Sequence, residues 1–179
     1  MEDKILSKFK ELNMEKQVMF LLLLSDSVLN ILTNSANYCA VKTALKACWD
    51  WVKYKKYSAD DIYNLLDDGT VETGLFMLMQ DETDETKELA FGCIVDAVSY
   101  TNWKAFKYEG QEYLPAPIEN VDENILEQFL DGLYQITDSY KTITEGLITF
   151  LLETQEFVIQ ETLVVLEHKK VKVAPENLV

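Results

Sequence analysis

Carboxylates are the side chains here with the numbers and spacing to do chemistry. Glu85, Glu88 and Asp96 recur at steps that place them on one stripe of a helix, and paired acids on a helix can gather a hard cation such as magnesium. A metal-dependent all-α nucleotide hydrolase would also need a second acidic pair on a facing helix and basic residues for the phosphates. Neither can be picked out. Asp67-Asp68-Gly69 and the Asp81–Glu88 run miss the calcium-loop pattern, which needs Gly at position six and Glu at twelve. The single histidine, His168, stands beside Lys169 and Lys170, where a cation at a helix C-terminus is favoured by the dipole. No Ser-His-Asp or Cys-His arrangement can be built without it. Gly69, Gly74 and Gly92 match no phosphate-cradling G-x-G-x-x-G pattern. All 16 basic residues are Lys, so the bidentate guanidinium fork that grips phosphates is missing. The expectation is a protein that is not an enzyme, with no catalytic residue, metal ligand or cofactor, and no nucleic-acid partner.

The elements that hold these acids are helical. Apolar residues at steps of three and four predict helices over about 3–12, 14–33 and 35–55, the second apolar on two sides and therefore central. Ser58-Ala-Asp-Asp61 resembles a capping box opening a short helix that ends near Gly69, and Leu75 to Gln80 is a further helical piece. The clearest helix is Asp84–Tyr108, with Ala90, Cys93, Ile94, Ala97, Val98 and Thr101 inward and Glu88, Gly92, Asp96, Ser99, Trp103 and Lys107 on the opposite stripe. Two prolines make Gly110–Val121 a loop. Asp122 caps a helix with Ile125, Leu126, Phe129, Leu130 and Leu133 inward. Residues 139–167 form one long helix or two, broken near 153–156. β-branched residues around 157–159 and 164–165 leave 157–173 open between helix and a short strand pair. The expected fold is all-α: a single-domain bundle of six to eight helices over 1–168, with a short tail at 169–179.

Length and composition agree. At 179 residues and 48% apolar the chain suffices for one core, and its longest unbroken apolar run, Val18 to Leu24, is far short of the roughly 20 residues that span a bilayer. The N-terminal residues lack the basic and apolar regions of a secretory signal. Cys39, Cys48 and Cys93 form no C-x-x-C pair and read as small buried residues of a reducing compartment. A cytoplasmic protein without membrane contact is expected, and a monomer is favoured.

The net charge of −15 is unevenly spread: residues 1–57 carry +3, residues 58–168 carry −20 and the tail +2. Repulsion at that density costs stability that solubility alone does not require, which points to a basic partner. Eight acids fall within the 22 residues from Asp67 to Glu88, namely Asp67, Asp68, Glu72, Asp81, Glu82, Asp84, Glu85 and Glu88, against one base, Lys87. Two tryptophans stand on polar stripes. Trp103 is either covered by Leu114, Pro115 and Ile118 of the following loop, the reading we favour, or is an exposed anchor for a partner. Trp49, among Lys42, Lys46 and Lys53, is explained by a capping Lys stem.

Phe20-Leu-Leu-Leu-Leu-Ser-Asp-Ser-Val-Leu29, Cys48-Trp-Asp-Trp51, Ser99-Tyr-Thr-Asn-Trp-Lys104 and Tyr113-Leu-Pro-Ala-Pro-Ile-Glu-Asn-Val-Asp-Glu123 together resemble the sixth-numbered immunity-protein family of bacterial polymorphic toxin systems, over about residues 14–135. The Tyr-Leu-Pro-x-Pro-Ile-Glu loop is the most distinctive piece. The resemblance implies a mostly α-helical, cytoplasmic, non-catalytic protein that binds and neutralises a cognate toxin, and it carries no catalytic residues over. Such an inhibitor of a basic, nuclease-type toxin domain would gain encounter rate from its acidic region. The contrasting class is an acidic adaptor or regulatory module. The candidate toxin-binding surface is Asp67, Asp68, Glu72, Asp81, Glu82, Asp84, Glu85 and Glu88, with Asp96 and Trp103 on the adjoining helix and Tyr113 in the proline loop.

Overall fold

A computed structural model describes residues 2–70, 72–122 and 124–154. The described residues form nine α-helices and two 3-10 turns: α1 (Glu2–Glu11), α2 (Met14–Val28) running into a 3-10 turn (Leu29–Leu32), α3 (Tyr38–Tyr54), α4 (Ala59–Leu66), α5 (Leu75–Leu78) with a 3-10 turn (Met79–Asp81), α6 (Glu85–Tyr108), α7 (Ala116–Glu119), α8 (Ile125–Ile136) and α9 (Ser139–Glu153). The all-α class is as the periodicity predicts. His168, the tail and the undecided stretch 157–173 lie outside the described residues.

Local sequence chemistry sets the boundaries. Asn13 accepts a hydrogen bond from Lys16 N at 2.9 Å and starts α2. Ser58 and Asp61 form the expected reciprocal capping box at the start of α4. Asp84 accepts from Lys87 N at 3.0 Å and caps α6. In the proline loop the chain makes one turn of helix, α7, which Pro115 and Pro117 permit because a first turn needs no N–H from them. Asp122 does not cap α8. It accepts from Asn124 N at 2.7 Å, and the helix starts two residues later than the cap at 122 predicts.

The core runs along α6. From Cys93 to Phe106 every residue of this helix is buried, polar ones included, so this length of α6 is a shaft with neighbouring elements around it. It packs against α2, α3, α4 and α8 and touches α7 and both 3-10 turns. Phe9, Phe20 and Tyr100 meet at ring separations of 5.6 Å and 5.8 Å, joining α1, α2 and α6. Tyr100 Oη donates to Gln17 Oε1 at 2.9 Å, and Gln17 Nε2 donates to the Phe9 carbonyl at 3.1 Å, so this junction satisfies its own buried polar groups. At the other end, Asn102 Nδ2 donates to the Ala59 carbonyl at 2.6 Å while Ala59 N donates to Glu109 Oε1 at 2.7 Å, which fixes the start of α4 to the last turns of α6. The helix α9 packs against α1, α2 and α8. Lys8 Nζ donates to Thr149 Oγ1 at 3.1 Å and Lys16 Nζ to the Thr154 carbonyl at 2.8 Å.

One expectation is corrected here, and one open choice is decided in favour of burial. Cys39 is exposed on the first turn of α3, while Cys48 and Cys93 are buried as expected; all three are free thiols. Trp103 is 6% exposed, hence no surface anchor. Its ring lies 5.5 Å from that of Tyr100, with Lys107 Nζ 3.6 Å and Lys104 Nζ 4.5 Å from its centre. A polar stripe that reads as solvent-facing is here enclosed by neighbouring elements. Trp49 is met by Lys53 at 5.8 Å, and its indole N–H donates to Asp26 Oδ2 at 2.8 Å.

Candidate functional site

The polar stripe of α6 opens into a cleft. Its floor is Glu85, Glu88, Gly92, Asp96 and Ser99; one wall is Phe76 and Met79 from α5 and its 3-10 turn; the other is Pro117, Val121, Asp122, Ile125, Gln128 and Gly132 from α7, α8 and the link between them. The cleft has a volume of about 1060 Å³, at the upper end of what ligand pockets offer. Its lining holds four carboxylates, Glu85, Glu88, Asp96 and Asp122, and no Lys. The floor exists because small or polar residues recur at steps of three and four along α6, so no large apolar side chain fills the space between α6 and α8.

Asp96 is the unusual member. Only 8% exposed, it accepts a hydrogen bond from Gln128 Nε2 at 2.9 Å through Oδ1. Burial pushes its pKa up to about 7, against the lowering effect of the Gln128 bond. Beside it, the Cys93 thiol is pushed up to about 12, first by burial and then by the Asp96 charge, and Cys93 Sγ donates to the Phe129 carbonyl at 3.6 Å. A thiol held that firmly protonated is no nucleophile. Among the described residues, no group of three or more His, Cys, Asp and Glu side chains could hold a metal ion. The four carboxylates suit the arrangement to attracting cationic groups.

The remaining candidates are spread around the cleft. Glu82 accepts from Ser35 Oγ at 3.0 Å, tying the wall beneath Met79 to the turn before α3. Asp81 is exposed, and exposed Asp84 is engaged as the cap of α6. Asp67 and Asp68 belong to the turn between α4 and α5. Asp67 accepts from Gly69 N at 3.0 Å and from Tyr63 Oη at 3.2 Å; Asp68 accepts from the hydroxyls of Thr70 and Thr73. These hydrogen bonds to the charged form hold the Asp68 carboxyl below the usual range. Glu72 is exposed in the same turn. Tyr113, 89% exposed, is presented by the loop before α7. The structure therefore gathers Glu85, Glu88 and Asp96 in one cleft, leaves Asp67, Asp68 and Glu72 in a neighbouring turn, and takes Trp103 out of the surface.

Sequence reasoning missed Gln128, Asp122, Phe76 and Met79. The signal for Gln128 was present: with Ile125 and Gly132 it makes a stripe at steps of three and four beside the inward face of α8. Phe76 and Met79 carry no such signal, because a single helical turn is too short to show a period.

No helix among the described residues is long and apolar enough to cross a membrane. No curated protein and no solved structure matches the chain. One family model does: Immunity protein Imm6, over residues 16–136. That span takes in all but the first two residues of α2 and the whole of α3 through α8, with the shaft and both walls of the cleft, and with most of its length matched the chain belongs to the Imm6 immunity-protein family.

Proposed function

We propose that this protein protects the cell that makes it by binding and neutralising a cognate polymorphic toxin in the cytoplasm, acting as a non-catalytic monomer against a basic, nuclease-type effector domain. Family membership supplies the role. The observation that carries the surface is the acid-lined cleft flanked by the acidic run from Asp67 to Glu88. Acids on one face steer a basic partner and penalise wrong ones, and the turns at 67–70 and 72–74 sit on a rigid helical scaffold, where recognition loops commonly lie. Tyr113 adds an exposed aromatic at the near end of the α7 loop.

The test is co-expression with the toxin domain encoded beside this gene, scored as survival and co-purification. Survival with a stable complex is the expected result; a toxin that still kills and does not co-purify refutes the reading. Changing Asp81, Glu82, Asp84 and Glu85 to Asn or Gln should slow association and flatten its salt dependence. An unchanged association rate would make the run a solvated face, and the interface would then be sought first in the Tyr113–Glu123 loop.

A further inference from the structure

We infer that the cleft between α6 and α8 seats a cationic side chain, Lys or Arg, carried on a short segment of the partner toxin, with the Asp96 carboxylate as its counter-ion. This rests on the immunity reading above and adds to it where, and by what chemistry, the partner is gripped.

Three observations carry the inference. The first is charge: four carboxylates line the cleft and no base does, so an anionic ligand such as a nucleotide is repelled and a cation attracted. The second is Asp96 itself. Gln128 occupies Oδ1, whereas Oδ2 has no hydrogen-bond partner among the described residues. Buried charges are ordinarily paired. Oδ2 is the oxygen left open to the cleft, so an incoming cation can pair with it directly.

The third observation is Gly92, one turn before Asp96 on the same stripe. Glycine weakens a helix interior, and the usual reason for tolerating one is close packing. A Cβ added at Gly92 would meet nothing within 4 Å, so packing does not require it. What the missing side chain preserves is open space on the cleft floor between Glu88 and Asp96. The cleft volume exceeds what one side chain fills, and Phe76, Met79 and Ile125 offer apolar surface for the methylene stem of a Lys or Arg and for its neighbours.

A proton is coupled to this event. Glu85, Glu88 and Asp122 line the same cleft as Asp96, Cys93 adjoins it on α6, and Gln128 reaches it from α8. None is basic, and the Cys93 thiol stays protonated. The free protein thus holds a proton on Asp96 near neutral pH, and seating a cation expels it, so affinity rises with pH between about 6 and 8.

The experiment has two arms. In the first, the isolated protein is titrated at pH 8 with N-acetyl-arginine amide and, separately, with the uncharged isostere N-acetyl-citrulline amide, followed by amide NMR. Saturable shifts at Gly92, Gly132 and the Gln128 side-chain amide are expected with the arginine probe alone, and Asp96→Asn should abolish the saturation. Shifts scattered over the acidic surface, or identical in Asp96→Asn, overturn the inference.

In the second arm the toxin is the ligand. Gly92→Leu adds bulk to the floor at a position where a Cβ meets nothing within 4 Å, and Gly146→Leu on α9, whose Cβ is equally unobstructed, is its control. Gly92→Leu and Asp96→Asn should each weaken the complex about tenfold or more, with Gly146→Leu unchanged and all three keeping the parental circular dichroism. A parental protein that does not bind the toxin refutes the immunity reading, and the probe titration then decides the cleft by itself. A parental protein that binds, with both cleft variants binding as tightly, leaves the immunity reading standing and overturns this one.

Discussion

Replacing Asp96 with Asn should stabilise the protein in alkaline solution and leave it nearly unchanged in acid. The carboxyl moves from an ordinary value of 3.8 to about 7 on folding. Its folded pKa lies above its unfolded one, so between these values the folded chain holds a proton that the unfolded chain has released. Stability from this group therefore falls as pH rises through that window and levels off above about pH 7. Roughly three units at about 1.4 kcal/mol each give a loss of about 4 kcal/mol at pH 8. Water reaching Oδ2 through the open cleft makes that an upper bound. Asn keeps the oxygen that accepts from Gln128 Nε2 and has no charge to desolvate. Other carboxyls, such as Asp61 and Asp68, are held below their ordinary values by hydrogen bonds and slope the opposite way at lower pH. The quantity to measure is thus the difference between the two proteins. Urea unfolding followed at 222 nm, repeated from pH 5 to 8.5, should show the advantage of Asp96→Asn growing with pH. An advantage that is absent at pH 8, or constant across the range, would refute the account of Asp96 as a costly buried carboxylate.

Three further outcomes follow from the local geometry. Ser58→Ala removes the side chain that accepts from Asp61 N at 3.0 Å and should cost about 1 kcal/mol, read as a lower urea midpoint with unchanged slope. Gly74→Ala should cost about 1–3 kcal/mol, since φ is +91° and the new Cβ would lie 2.8 Å from the Leu66 carbonyl oxygen, whereas Gly69→Ala, at φ +77° in open space, should cost less; thermal melts of the pair test the ranking. Asn102→Ala leaves the Ala59 carbonyl without its buried donor and should cost about 1–3 kcal/mol, with faster hydrogen exchange at the start of α4.

What was legible in the sequence was local. The Ser58–Asp61 box, the start of the second helix at residue 14 and the apolar period of α6 are decided by residues within a few positions of one another, and all three form as the spacing predicts. The cleft is decided by what α5, α7 and α8 bring to a stripe of α6 from elsewhere in the chain. One-sided polarity on α6 reads as a solvated face, and only enclosure turns Asp96 inward and buries Trp103. Glu85 and Glu88 were recognisable because charge density needs no tertiary contact to be visible. Gln128 needed its distance to Asp96, which no period encodes.

The contact of α1 with α9 has a consequence for how the chain folds. Lys8 and Thr149 are separated by 141 positions, whereas α2 to α3 and α3 to α4 are joined by short turns. Loop closure grows dearer with the logarithm of length, by about 0.6 kcal/mol per doubling. Joining the ends therefore costs about 2 kcal/mol more than closing a ten-residue turn, and that penalty falls before any contact across the seam repays it. Meanwhile Phe9 already reaches Phe20 across a two-residue turn, so α1 can dock on its near neighbour and wait. The expected order of assembly is therefore an open sleeve around α6 whose contact between α1 and α9 closes last.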